Sequence, residues 1–463
     1  RERGGLFHSL ASMLNYIWLG LIVFAVVIGG VNGHLKDVAD KCFEMAEYAV
    51  MRTALPLVGV MALWLGIMRL AQRAGLVSLL ARLLRPLMIW LFPEVPADHP
   101  AMGSMLLNIA AGILGLGNAS TPLGLRAMED LEKLNPHPGT ATNAMCTFLA
   151  INTSSIQLIP ATAIAILAAN QSANPTAIVG TSIMATTCAA IAGVSAAKIL
   201  ERLPVFRLKP LVPLAATANK ATEAHAANRD EPSAASTVGE QPALAPLQWW
   251  GLLAIIAYGV FFLYLFAHLA FPALLGPTSG ASGATPFIRI VNAISTLAIP
   301  FVLSAFPLYA ALRRVKVYEE FVEGAKEGFE VAVRIIPYLV AILVAIGMFR
   351  AAGGIEMLGA ALKPIMAAVG FPPDLLPLVI MRPLSGSGTL GIFSELVKHA
   401  GPDSLVTRMG ATIYGSTETT FYVLAVYFGA VAVKRTRYAV LAGLTADFVG
   451  VVASIIICKA VFG

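Results

Sequence analysis

The residues whose types and spacing could do chemistry form two polar runs inside otherwise apolar sequence. The first is Asn152-Thr153-Ser154-Ser155-Ile156-Gln157, within "FLAINTSSIQLIPATAIAIL". The second is Ser416-Thr417-Glu418-Thr419-Thr420, within "GATIYGSTETTFYVLAVYFGAV". Amides and hydroxyls suit hydrogen bonding to a neutral or zwitterionic solute. Glu418 adds a carboxylate that could hold an amine, a coupling cation or a proton. On a helix each residue advances by about 100°, so four consecutive polar residues cannot share one stripe. That excludes a lipid-facing helix with a polar edge. Polar groups at membrane depth persist only where protein or a wet cavity surrounds them. The first run is therefore expected in the protein interior where a helix breaks, and Pro160 fits such a break.

Each run is preceded by a glycine-rich turn, "GILGLGNASTPLG" (Gly112–Gly124) and "PLSGSGTLG" (Pro383–Gly391). No Lys follows either glycine set as a phosphate loop requires. Glycine lets the chain turn, and a half-helix N-terminus carries about half a positive charge that can hold a polar or anionic group. Asn118, Ser120 and Thr121 in the first turn, and Ser385, Ser387 and Thr389 in the second, are candidate lining residues with the two runs. The competing reading is hydroxyls gluing helices together and small residues packing closely. Matched sets in matched places favour a site. Setting Asn152 against Ser416 puts Ser154 opposite Glu418.

Asp447, in "LAGLTADFVGVV", is a second carboxylate in an apolar span. Such a charge costs roughly 2.5–3.5 kcal/mol on insertion scales and faces a partner or a cavity. With Glu418 it is a candidate coupling or proton-carrying group, or else a structural partner of an arginine such as Arg382. Glu129, Asp130, Glu132, Lys133, Glu395 and Lys398 read as solvated helix ends.

The elements positioning these groups are membrane helices. Of 463 residues, 57% are hydrophobic and 13% charged, whereas soluble domains are nearer half apolar and a quarter charged. Apolar stretches near 14–33, 54–71, 248–271, 288–312 and 437–461 approach or exceed the roughly 20 residues that span a bilayer. The segment 72–92, with Arg73, Arg82 and Arg85, reads as interfacial. The expected class is an all-α polytopic membrane protein. The net charge of +6 reflects Lys and Arg clusters beside the spans, with no aromatic interleaving that would suggest nucleic acid. Cys42, Cys146, Cys188 and Cys458 lack CxxC spacing, so no disulfide framework, metal site or cofactor is expected.

Residues 203–246, rich in Ala, Pro, Ser and charge, read as a flexible linker between two similar halves. Arg85-Pro86-Leu87-Met88 is echoed by Lys363-Pro364-Ile365-Met366, Phe92-Pro93 by Phe371-Pro372, and the glycine turns and polar runs recur in order. Such repetition is the trace of a transporter-type architecture. The expected divisions are a polar leader remnant (1–12), a first membrane half (13–202, module about 50–200), the linker (203–246) and a second half (247–463, module about 331–461).

At these motifs the chain resembles a known family. "LGLGNASTPLGLRAMEDLEKLNP" with "NAMCTFLAINTSSIQLIPAT" is similar to spore maturation protein A, and "RPLSGSGTLGIFSELVKHAGPDS" with the second run to spore maturation protein B. The likeness covers nearly everything outside the leader and linker, as in a fusion of the two. It implies a gate, or nucleoside-recognition, domain in each half, with broken or re-entrant helices, related by a pseudo-twofold axis. It also implies solute movement across a bacterial inner membrane. Gly112 stands where the family pattern suggests a second Asn.

The expectation is a transporter, not an enzyme, moving a small polar solute such as an amino acid, nucleoside or related zwitterion between two gate modules. Its partners would be the lipid bilayer, the solute and a coupling ion (H+ or Na+), with no nucleic acid; a homo-oligomer is compatible with the pattern. The alternative is a non-transporting scaffold that recruits partners in envelope or spore maturation.

Overall fold

The computed structural model describes residues 5–115, 117–207, 246–271, 285–354, 357 and 371–463. Residues 208–245 of the expected linker and the Lys363–Met366 landmark lie outside the described residues, as do the side chains of residues 5–15 and 117–119. Among the described residues the secondary structure is helical, with one isolated bridge between Thr140 and Arg435.

The chain opens with α1 (Gly5–Val31), which starts inside the expected leader, followed by α2 (Leu35–Glu47). A π-helical turn, Tyr48–Ala54, joins α2 to α3 (Leu55–Arg73), so the helix continues through both. Next comes α4 (Leu76–Leu91), over the segment expected at the interface, with Leu83, Leu87 and Trp90 exposed. Then follow α5 (Pro100–Ile113), α6 (Gly117–Lys133), α7 (Asn143–Thr153), α8 (Ala161–Ala169) and α9 (Ile178–Leu200). The second half begins with α10 (Trp249–Ala270), α11 (Pro286–Leu312) and α12 (Val317–Ala351). It then repeats the order of short and long elements: α13 (Leu376–Met381), α14 (Gly386–Ala400), α15 (Leu405–Ser416), α16 (Thr420–Ala430) and α17 (Ala439–Phe462).

Six helical stretches among the described residues are long and apolar enough to cross a membrane: Leu35–Arg73, Ile178–Leu200, Trp249–Ala270, Pro286–Leu312, Val317–Ala351 and Ala439–Phe462. This is a multi-pass membrane protein. The short helices cannot cross alone. With 11 residues, α7 reaches about 16 Å at 1.5 Å per residue, half of a hydrocarbon core about 30 Å thick.

Within a bilayer, apolar burial does not drive helices together, so close backbone packing must. Two long, close seams each join a helix of the first half to one of the second. A Cβ on Gly324 of α12 would lie 2.6 Å from the Leu65 carbonyl, and one on Gly328 2.6 Å from the Ala62 backbone. As α3 advances from Ala62 to Arg69, its partners on α12 fall from Gly328 to Glu320, so the two run antiparallel. Helices α9 and α17 do the same: Gly193 meets Ala446 and Ala189 meets Gly450. Arg69 and Arg73 of α3 ion-pair with Glu320 across the first of these seams.

Two residues read as solvated ends are buried instead. Asp130 is 4% exposed and accepts hydrogen bonds from Ser104 and Lys133, each at 2.7 Å. Glu395 is 5% exposed and paired with Arg350 of α12 at 2.6 Å. Both lie on the faces of their helices that pack against α5 and α12, whereas Glu129, Lys133 and Lys398 of the same helices are exposed as expected.

Candidate functional site

Both polar runs fall at breaks between half-helices. Hydroxyls late in α7 turn back on the helix: Thr153 donates to the Ala150 carbonyl (3.1 Å) and Ser154 to that of Ile151 (2.7 Å). Such back-bonding weakens continuation of the helix. Ser155 then takes a left-handed conformation (φ +46°), which a residue with a side chain adopts only when its surroundings hold it there. In the second half, Thr417 is extended and donates to the Ile413 carbonyl (2.8 Å). Arg382, 4% exposed, closes the end of α15 by donating to the carbonyls of Tyr414 (2.9 Å) and Thr417 and to the Thr417 hydroxyl (3.1 Å). A cation complements the negative end of a helix dipole.

The two breaks meet. The Glu418 N–H donates to the Thr153 carbonyl (3.1 Å), and the Ser155 hydroxyl donates to Glu418 Oε2 (3.1 Å). The residue that meets Glu418 is thus Ser155, one position on from the Ser154 that the sequence register set against it. No Lys, Arg or His among the described residues lies within ion-pairing distance of Glu418; its carboxylate is only partly buried.

Glu418 and Gln157 lie between two cavities and line both. The first, about 170 Å³, is also lined by Asn108, Ser120, Thr121, Asn152, Ser155 and Tyr427, with Ile109, Gly112, Ile151, Ile156, Tyr422 and Val423 supplying its apolar wall. The second, about 190 Å³, brings Arg382, Tyr414, Gly386, Gly415, Pro160 and Thr162 to the other side.

The candidate residues thus divide. Ser120, Thr121, Asn152, Ser155, Gln157 and Glu418 line cavities. Thr153, Ser154, Ser416, Thr417, Thr419 and Thr420 are buried away from them. Ser416 meets Ser454 (3.1 Å), Thr420 donates to Asp447 (2.6 Å), and Thr419 packs beside Gly386. Ser385 accepts from the Gly388 N–H as the N-cap of α14, Ser387 lies 3.4 Å from it, and Thr389 donates to the Ser385 carbonyl (2.6 Å). These three hold the half-helix start, which leaves Gly386 to face the second cavity. Asn118 lies on α6, its side chain outside the described residues. Asp447, 6% exposed, accepts a hydrogen bond from the Thr420 hydroxyl on one oxygen and has no partner on the other among the described residues. Arg382 is committed to α15 and makes no ion pair with it.

Sequence reasoning passed over Asn108 and Tyr427. Asn108 is fully buried and donates to the Ser120 carbonyl (2.9 Å), the Ser120 hydroxyl (3.1 Å) and Tyr427 Oη (3.3 Å). Tyr427 Oη reaches Asn152 Oδ1 at 3.4 Å. A lone Asn in "SMLLNIAAG" was the available signal.

Known proteins match at these elements. The family model Gate, described as nucleoside recognition, matches residues 54–170 and 332–434. Spore maturation protein B of Bacillus subtilis (strain 168) is 47% identical over 176 residues, 38% of this chain and 99% of the relative. Spore maturation protein A of the same strain is 44% identical over 197 residues, 42% of this chain and 98% of the relative. The chain belongs to the spore maturation protein A/B family. Each relative covers a different part of it, as a fusion of the two would require. A solved structure, that of the Alcanivorax borkumensis YdaH transporter, aligns over 97% of this chain and 98% of its own at 15% identity, with a TM-score of 0.34. That superposition is too loose to bear on the site.

Proposed function

We propose that this A/B fusion is a transporter of the bacterial inner membrane that moves a small polar solute between its two gate modules. The observation that carries the reading is the carboxylate of Glu418. It stands at a helix break without a countercharge among the described residues, with a cavity on either side. An intramembrane carboxylate without a cation partner is expensive unless a cavity serves it. Broken helices meeting at a site between repeats are the arrangement secondary transporters use. The antiparallel packing of α3 on α12 and of α9 on α17 supports a pseudo-twofold axis in the membrane plane, hence inverted repeats. Asp447, buried beside Thr420 one helix away, is the candidate for a coupled proton or Na+. In this reading the modules are residues about 50–200 and 331–461, joined through 203–246.

The test is release from proteoliposomes loaded with a defined mixture of amino acids, nucleosides, polyamines and dicarboxylates, followed by mass spectrometry. At least one solute should leave faster than from protein-free vesicles, and Glu418→Gln should abolish that release while the protein unfolds at its usual temperature. Release no faster than the protein-free control for every solute would reject carriage. The relatives' names keep a scaffold reading in view; it expects alanine throughout 152–157 and 416–420 to leave the cellular phenotype intact, where the transporter reading expects loss.

A further inference from the structure

We infer that the first cavity is a binding site for the head of a small protonated organic amine. The inference rests on the site reading above and names its ligand class from the hydrogen-bond inventory of the cavity wall.

The amide orientations are fixed by their partners. Asn108 Nδ2 lies 2.9 Å from the Ser120 carbonyl, and Asn152 Nδ2 lies 2.9 Å from the Phe148 carbonyl. A backbone carbonyl only accepts, so each amide must turn its N–H groups toward the protein and its oxygen the other way. Asn108 Oδ1 has no partner among the described residues but is closed off behind the cavity wall. Asn152 Oδ1 has only the long contact to Tyr427. The Ser155 hydroxyl is committed to Glu418, whose other carboxylate oxygen accepts from no described residue. Protein donors are thus largely used within the wall, and the groups left over are acceptors, one of them charged. Thr121, Gln157 and Tyr422 can serve in either sense. Among the described residues no Lys, Arg or His lines this cavity.

An acceptor left without a donor when solute displaces water is unfavourable, so the arrangement favours a ligand that brings N–H donors and positive charge. An anion would meet Glu418 and find no cation. A neutral acceptor-rich solute would find few free donors in this wall and would leave the Glu418 charge uncompensated. A bare inorganic cation would use the oxygens but not the apolar wall of Ile109, Ile151, Ile156 and Val423, nor a volume of about 170 Å³. An ammonium head between Glu418 and Asn152 Oδ1, with a few carbons against that wall, uses the charge, the free acceptor and the apolar surface together.

The experiment is calorimetric and thermal-shift titration of the full-length protein in nanodiscs at neutral pH. The probes are propylammonium chloride, 1-propanol, sodium butyrate and sodium chloride at equal ionic strength. Propylammonium should bind and raise the unfolding temperature, and the other three should not. Glu418→Gln should weaken propylammonium at least tenfold, equivalent to about 1.4 kcal/mol. Ser155→Ala keeps the charge and removes the competing donor, so it should bind propylammonium at least as tightly as the unaltered protein, which keeps the proposal testable should Glu418→Gln not fold. Equal binding of butyrate or propanol, a shift that sodium chloride reproduces, or weakened binding in Ser155→Ala would overturn the amine site. Amine binding without release from proteoliposomes would instead reject carriage and leave this site standing, and release of an anionic solute without amine binding would do the reverse.

Discussion

Substituting Gly124 with alanine tests whether the two halves are joined across the first cavity as described. Gly124 lies on α6, in the first half, where a Cβ would fall 2.2 Å from Tyr427 Oη and 2.4 Å from its Cζ on α16, and 2.8 Å from Asn108 Nδ2 on α5. Ordinary contact begins at 3.4 Å, so the Tyr427 hydroxyl must retreat by 3.4 − 2.2 = 1.2 Å. Its bonds to Asn108 and Asn152, already 3.3 and 3.4 Å, do not survive a further ångström. Alanine gains about 1 kcal/mol over glycine in a helix, while overpacking a close seam costs about 1–3 kcal/mol. The net loss of stability should therefore be at most about 2 kcal/mol, and the protein should still fold. Asn108 and Asn152 would lose their shared tyrosine, and propylammonium affinity should fall about tenfold. Tyr427→Leu removes the atoms in conflict, so unfolding measurements on Gly124→Ala, Tyr427→Leu and the pair should show a favourable coupling of about 1 kcal/mol or more. Strict additivity, with Gly124→Ala keeping full affinity, would refute the contact and the cavity wall built on it.

Gly112→Asn should keep the protein folded, because a Cβ there meets only Ser120 Oγ at 3.8 Å. The side chain would occupy part of the roughly 170 Å³ cavity, so solute release and propylammonium binding should both fall while the unfolding temperature holds. Arg382→Ala should lower the unfolding temperature sharply, since it leaves the Tyr414 and Thr417 carbonyls of α15 without a donor, each worth about 1–3 kcal/mol when buried; Arg382→Lys should recover only part, lacking the planar fork. Asp403, in the loop before α15, accepts from the Ala173 N–H (2.9 Å) and the Ser172 hydroxyl (2.7 Å), and these bonds hold its pKa below the usual carboxylate value. Its contribution is therefore full above about pH 4 and lost as the pH falls through its lowered pKa. Asp403→Asn should cost less than about 1 kcal/mol at this partly exposed position, and the gap between the two proteins should close in acid when thermal unfolding is followed against pH.

How much of this the sequence disclosed depends on whether a feature is local. The helix breaks were legible because consecutive polar residues cannot share a helical stripe, and the breaks after Thr153 and Ser416 fall within the two runs. The multi-pass architecture was legible from apolar length alone. Which hydroxyls face a solute was not legible. A Ser or Thr late in a helix always has carbonyls three and four residues back within reach, so Thr153, Ser154 and Thr417 close on their own helices. Only a side chain beyond the helix end, such as Ser155, Gln157 or Glu418, is free of that local competition. Tyr427 was illegible for a different reason. It meets Asn108 across 319 residues of chain, and nothing in a solitary tyrosine announces such a partner.

The two runs bring unlike residues together where they meet, and the physics of the site follows from that difference. A pair of carboxylates meeting across the break would repel in a medium of low dielectric, and a pair of serines would offer no charge to attract a solute. Ser155 against Glu418 gives one charge and one donor to steady it. A lone serine contact is too weak to neutralise a carboxylate, so an attraction remains for whatever enters from either cavity. Rocking one module against the other would strain this contact and the Glu418–Thr153 backbone bond, the two polar links between the runs. Under the proposed carriage, an entering ammonium that takes over from Ser155 would remove one of them, so binding itself would lower the barrier to motion. On that reasoning Ser155→Ala, with the charge intact and one link gone, should raise uncoupled solute leak in proteoliposomes above that of the unaltered protein. A leak equal to or below that of the unaltered protein would mean that the Ser155–Glu418 contact does not restrain the modules.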